Sequence, residues 1–277
     1  MERNSQEFDR RVAQALRSTG VSAAWADPAE DSPDGALYGY LRRHVREHQL
    51  FQSCIALELV RGIMTDEIDR MQCRLSGKRT CLAYYHHCLS VCRMLIDLHT
   101  AQGSEEEDVL LAAALCHILP ECIQFSDLRR TLTEQYGLET AIVEIIQLIF
   151  REENGSEADQ VRFYGNIRQN RLALMIKLAD RGNLVEQLYG ISGWDARSYI
   201  HETKAHFFPM CIYAKEHYPE LLAPVSVLME KMRCLTEVAE ILLGRYEQRE
   251  AELSQEILEL QEDNAALKRR IERLRAD

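Results

Sequence analysis

The sequence predicts an all-α protein. Only 13 Gly and 6 Pro interrupt its 277 residues, and alternating runs of β-branched residues are few. The last 30 or so residues carry a heptad pattern, which belongs to helices alone. An apolar share of 46% is ample for a core and argues against wholesale disorder. A chain of this length holds one large domain plus an appendage.

Taken in order, residues 1–20 read as a short charged helix ending near Gly20. Ala26 to Gly35, with its prolines, acids and glycine, reads as a linker, so residues 1–50 are expected to be an N-terminal helical extension. A helical domain is expected over 51–245. Helices are expected over 36–49, 52–73, 82–101, 106–119, 126–136, 139–151, 156–188, 194–217 and 219–244. Ser104 with Glu107 three residues on has the form of a capping box at the start of the fourth of these. Pro120 ends or kinks that helix, because it cannot donate to the carbonyl of Cys116.

The segment 246–277 differs in kind. Leu253, Ile257, Leu260, Asn264, Leu267, Ile271 and Leu274 recur at alternating steps of four and three. This is a seam with Leu at d, Ile at a and one Asn at a, narrower than the stripe of a helix packed on a domain. It predicts a leucine-zipper-type coiled coil and a homodimer formed through residues 250–275.

The net charge of −11 gives no general attraction to nucleic acid or to an anionic membrane. No apolar run is long enough to span a bilayer and no N-terminal apolar segment precedes a cleavage site, so a soluble, cytoplasmic protein is expected. Nine cysteines, an odd number without framework spacing, are read as small buried hydrophobes. Cys88 and Cys92 share a helical face, and a zinc site built from them and a histidine is the other reading.

The chain is organised around Leu110 to Cys122. Alanines and leucines cover every face of this stretch, as in a helix buried in the middle of a domain. His117 near its end, followed by Glu121, needs a partner, since an unpaired buried polar group is costly. That partner is either a backbone carbonyl, as for an ordinary core histidine, or other ligands. Two further stretches supply candidates: Tyr84 to Leu95, with His86 and His87, and Met175 to Asn183, with Asp180. Two imidazoles and a carboxylate converging from three helices make a metal site. Asp180 also has Lys177 and Arg181 beside it as simple ion-pair partners.

These blocks are Arg74-Leu-Ser-Gly77 with His87, Ala114-Leu-Cys-His117-Ile-Leu-Pro-Glu121-Cys122, and Lys177-Leu-Ala-Asp180-Arg-Gly-Asn-Leu184. In order and composition they resemble the HD phosphohydrolase superfamily, and most closely the alarmone (guanosine tetraphosphate) hydrolase branch of the RelA/SpoT family. The resemblance covers roughly residues 55–245 and is most specific at Lys177 to Arg181. It implies an HD-type helical bundle, metal ligation by His87, His117 and Asp180, a catalytic remnant at Glu121, and a nucleotide contact from Arg74. It also implies Mn²⁺ or another divalent ion as cofactor and a guanosine nucleotide as ligand.

The departures from the pattern set the expected function. Ile118 stands where the family has a metal-binding Asp, Cys122 where it has the Asp of a Glu-Asp pair, and Leu184 where it usually has an Asn. Isoleucine cannot coordinate, and a thiol of pKa about 8.5 is a poor replacement for a carboxylate. The expectation is a degenerate HD-type protein with hydrolysis impaired or lost, acting as a dimeric regulatory, nucleotide-binding or scaffolding protein. The competing expectation is a metal-dependent phosphohydrolase of guanosine polyphosphates or related nucleotides. A synthetase activity is not expected, since the sequence carries no sign of a second catalytic domain.

Overall fold

A computed structural model describes residues 2–18, 33–66, 81–122, 125–150, 156–188 and 193–276. Every regular element among them is helical, as the composition predicts. The centre of the fold is α5 (Ser104–Cys116), whose residues Leu110 to Cys116 are all buried. It packs against α3 (Phe51–Asp66), α4 (Cys81–Asp97), α8 (Thr140–Ile149) and α10 (Arg171–Glu186). The small side chains of Ala112, Ala113 and Ala114 let neighbours approach on several sides.

The N-terminal helices belong to this same core. On α1 (Glu2–Ser18), Phe8, Val12 and Leu16 are buried at steps of one helical turn, and the helix packs on α3 and on α2 (Pro33–Glu47). Arg46 holds Asp9 through two nitrogens, with the shorter contact at 2.5 Å. Most of the expected linker, residues 26–32, lies outside the described residues, and its last three residues already lie in α2.

The start of α5 departs from the expected capping box. Gly103, with φ 153°, holds the N-cap position without a side-chain bond, and Ser104 is the first helical residue. The Glu107 side chain turns instead to His44, at 2.8 Å. A full capping box does occur at Ser156 and Asp159, opening α9 (Glu157–Ile167). Further along, the helix expected over 156–188 is two helices, because Asn170 accepts from the Ala173 N–H at 3.0 Å and starts α10 afresh.

Pro120 acts as its chemistry dictates. α5 ends at Cys116, His117 and Ile118 form a turn, and a four-residue helix α6 (Leu119–Cys122) follows. Beyond it run α7 (Phe125–Arg130) and a π-helical turn (Thr131–Gln135). The region expected over 194–217 is α11 (Gly193–Glu202), a second π-helical turn and α12 (Phe208–His217), joined without a break.

Asp108 of α5 caps a different helix. It accepts from the backbone N–H groups of Gln52 at 2.9 Å and Ser53 at 2.6 Å, while Ser53 Oγ donates to its carbonyl at 2.8 Å. Burial pushes the Asp108 carboxyl upward, against the pull of these bonds. Asp108→Ala strands two N–H donors at the buried start of α3. It should cost about 1–3 kcal/mol, read as a lower urea midpoint with an unchanged slope.

The last helix, α13 (Leu222–Ala276), runs 55 residues without a break. Its first half buries Val225, Met232 and Ala239 against the domain, touching α10, α11 and α12. The same seven-residue register leads on through Tyr246 to Leu253, Leu260 and Leu267, all of them exposed. One stripe thus serves the core first and then stands open. Among the described residues no helix is long and apolar enough to cross a membrane.

Candidate metal centre

Three helices meet at the C-terminal end of α5. His117 caps that helix at φ −62°, ψ −24°, where the break before Pro120 releases its ring from the apolar helix face. His87 lies on the buried face of α4 that also carries Cys88 and Val91. Asp180 sits on α10, buried continuously from Leu178 through Asn183. His87, His117 and Asp180 each offer a ligand atom, and these atoms lie within 4.8 Å of one another. The two imidazoles stand edge to face, with centroids 5.3 Å apart.

The hydrogen bonds fix which nitrogen of each ring faces the centre. His117 Nδ1 donates to the Ala114 carbonyl at 2.6 Å, so its Nε2 carries the lone pair. That Nε2 is buried with no hydrogen-bond partner. Burial pulls the His117 imidazole down to about 4, against the attraction of Asp180, so it is neutral at physiological pH. A neutral imidazole with an open lone pair is the form that binds a metal.

His87 is held in the complementary way. Its Nδ1 lies 2.7 Å from Asn183 Oδ1, and Gln187 Nε2 donates to the same oxygen at 3.2 Å. Asn183 Nδ2 donates to Glu186 at 3.4 Å, which sets the amide orientation. An oxygen only accepts, so His87 Nδ1 is the donor and its Nε2 faces Asp180 Oδ1 at 3.1 Å. Two electron-rich atoms at that distance call for a positive charge between them, either a proton or a metal ion.

A competing charge is already present. Lys177 Nζ lies 2.6 Å from the other oxygen of Asp180. Burial alone would raise the Asp180 carboxyl, but Lys177 and His87 outweigh it and hold the group well below the usual carboxylate range. The centre opens into a cavity of about 270 Å³. Its walls include Tyr84, Phe163 and Tyr199, together with Lys177 and Arg181. Arg181 pairs with Glu202, whose second oxygen accepts from Tyr164 at 2.5 Å, and its guanidinium lies over the Phe207 ring at 4.2 Å.

Of the residues singled out from the sequence, His87, His117 and Asp180 therefore converge. Asp180 pairs with Lys177 on one oxygen and faces His87 on the other, an arrangement compatible with the ligand reading. His117 has the backbone carbonyl of the core-histidine reading on one nitrogen and the cluster on the other. Ile118, 3% exposed, lines the cavity beside the triad, as does Leu184. The donor set of two imidazoles and a carboxylate is compatible with a divalent metal, and the isoleucine beside it adds no ligand.

Arg74 lies outside the described residues. Glu121 falls within the short helix α6, and its side chain and that of Cys122 are likewise outside the description. Cys88, Cys92 and Cys116 are buried free thiols, and burial raises Cys92 and Cys116 far above the usual thiol range. Among the described residues no cysteine joins a metal-type cluster, which leaves the zinc reading of Cys88 and Cys92 without geometric support.

Two features escaped the sequence reading. Asn183 orients His87 through its side-chain oxygen. Its signal was there: an amide one turn after Asp180 on the same helix face. The Arg181–Glu202–Tyr164 network had no local signal, because its members lie on three helices. Comparison with protein-family models, with curated proteins and with solved structures finds no match for this chain.

Proposed function

We propose that this chain is an HD-type helical domain, related to the alarmone hydrolases, in which hydrolysis is impaired or lost. It acts as a dimeric regulatory or scaffolding protein that retains a nucleotide-sized cleft. The observation that carries this reading is the triad of His87, His117 and Asp180 with buried Ile118 at its side. A bound divalent ion supplies phosphoryl hydrolysis with an activated water and a polarised oxygen. Here one carboxylate and its negative charge are replaced by a hydrocarbon, while Lys177 neutralises much of the one that remains. Both changes weaken the hold on a hard cation.

The cleft suits a nucleotide. Tyr84, Phe163 and Tyr199 offer flat faces for a base, and Lys177 and Arg181 line the same cleft, where phosphates would compete with Asp180 and Glu202 for them. A guanosine polyphosphate is the ligand that the sequence resemblance favours. The second reading, a working metal-dependent phosphohydrolase, has one observation in its favour: the buried, partnerless Nε2 of His117.

Two measurements decide between them. After dialysis against a chelator the purified chain should hold less than one transition metal ion at His87, His117 and Asp180. With Mn²⁺ restored, guanosine tetraphosphate should yield no pyrophosphate above the background of His117→Ala. Stoichiometric Mn or Zn that survives dialysis and is lost in His117→Ala would overturn the weak site. Manganese-dependent release of pyrophosphate that disappears in the same variant would establish the hydrolase.

A further inference from the structure

A second cluster of metal-type ligands lies at the far end of α5 from His117, and it does not depend on the function proposed above. His44 on α2, His48 in the turn after it, and Glu107 in the first turn of α5 place one ligand atom each within 4.8 Å of one another. The backbone explains the histidine pair. His48 N–H donates to the His44 carbonyl at 3.0 Å, so the chain is still helical there and the two rings share one face. They stack with centroids 4.3 Å apart and planes 23° from parallel. Glu107 faces both, with Oε1 2.8 Å from His44 Nε2 and Oε2 3.7 Å from His48 Nδ1.

As a set of hydrogen bonds the arrangement is incomplete, since 3.7 Å is too long for one. As a coordination set it is close to what an ion requires. Two donors each about 2.0–2.1 Å from a tetrahedral ion stand roughly 3.4 Å apart. The spacings at Glu107 are 2.8 Å through Oε1 and 3.7 Å through Oε2. One ligand atom from each of the three residues lies within 4.8 Å of the others, so small side-chain shifts bring the set to that separation. Two imidazoles and one carboxylate are donors that suit zinc rather than calcium or magnesium. The site is half-buried at Glu107 and His44 and opens at His48 into a cavity of about 780 Å³ that Tyr40 and His99 also line. Glu106, the neighbouring acid, is engaged by Arg171, which leaves Glu107 to the histidines.

We propose that His44, His48 and Glu107 form a zinc-binding site, three-coordinate from the protein and with its remaining position open to the adjoining cavity. The ion joins the end of α2 to the start of α5, across 63 residues of sequence. It therefore fastens the N-terminal helices to the helix that ends at His117. With three ligands and one half-exposed edge, the site gives up its ion to a chelator.

The test titrates Zn²⁺ into the chelator-treated full chain by calorimetry, with Co²⁺ as a spectroscopic probe of geometry. One zinc ion should bind to the unmodified chain and equally to His117→Ala, and Co²⁺ should show the intense visible bands of a tetrahedral site. His48→Ala removes a side chain that is 50% exposed, so the fold should survive. It should weaken zinc binding at least about tenfold, and Glu107→Gln should do the same. Zinc affinity unchanged in folded His48→Ala would overturn the proposal. In the unmodified chain, the imidazole proton resonances of His44 and His48 should move with added zinc. Zinc-dependent shifts confined to His87 and His117, or none at all, would overturn it as well.

Discussion

Cutting the chain after Leu243 is expected to convert a dimer into a monomer. Beyond that point α13 touches the domain little, Arg197 with Glu247 being an exposed exception, and it carries its apolar seam into solvent. Ile257 is 54% exposed and Leu260 is 61% exposed, although they stand in register with residues that α13 buries against α10. A second copy of the same helix covers such a stripe, and each large side chain buried contributes about 1.5–3 kcal/mol. Ile at a with Leu at d favours two parallel strands, and Asn264 at a can pair with its twin.

In that register Asp263 at g faces Lys268 at e of the other chain, an attractive pair. Arg270 faces Arg275 across the same gap, so the far end should fray. Three to four heptads are short, so contacts between the domains are expected to add to the dimer. Asn264→Ile should raise thermal stability while loosening the choice of oligomer, because burying the amide costs stability and specifies register. Sedimentation at micromolar concentration should give twice the 32.0 kDa chain mass for the full protein and the single mass for the truncation. A full-length monomer refutes the coiled coil, and a dimer that survives truncation moves the interface into the helical domain.

Introducing a carboxylate at position 118 should strengthen metal binding by more than the roughly 10–100-fold that an outer-shell partner contributes. Ile118 lines the cavity beside His117, so Ile118→Asp adds an oxygen ligand next to the existing triad. Without metal the new charge is buried and short of partners, which should cost about 3–5 kcal/mol. Mn²⁺ should return much of that loss, since an ion that binds only the folded state stabilises it by mass action. The signature is a low apo melting temperature that rises steeply with Mn²⁺, where the unmodified chain barely responds. Equal responses in the two proteins would show that position 118 does not face the ion. Adding Cys122→Asp should recover metal binding more readily than turnover, because Leu184 would still line the cavity with hydrocarbon.

Much of the fold was legible because its causes are local. Glycine and proline scarcity, the wholly apolar face of Leu110 to Cys116, the missing donor at Pro120 and the heptad seam each act within a few turns of one helix. One error has a distant cause and the other a local one. The capping box expected at Ser104 gave way to Gly103 because Glu107 had a better partner in His44. The helix expected over 156–188 broke at Asn170, whose side chain competes for the backbone N–H groups.

By itself, then, the sequence determined the helical class and the heptad seam, and its resemblance to a known pattern singled out His87, His117 and Asp180. Only the tertiary structure decided what those residues face. Asn183 reaches His87 across 96 positions, and His44 reaches Glu107 across 63. Whether Asp180 answers to Lys177 or to an imidazole was open until α4 packed against α10. The physical reason is that helical periodicity specifies which side of a helix is buried, whereas a polar centre depends on how helices distant in sequence are rotated and shifted against one another.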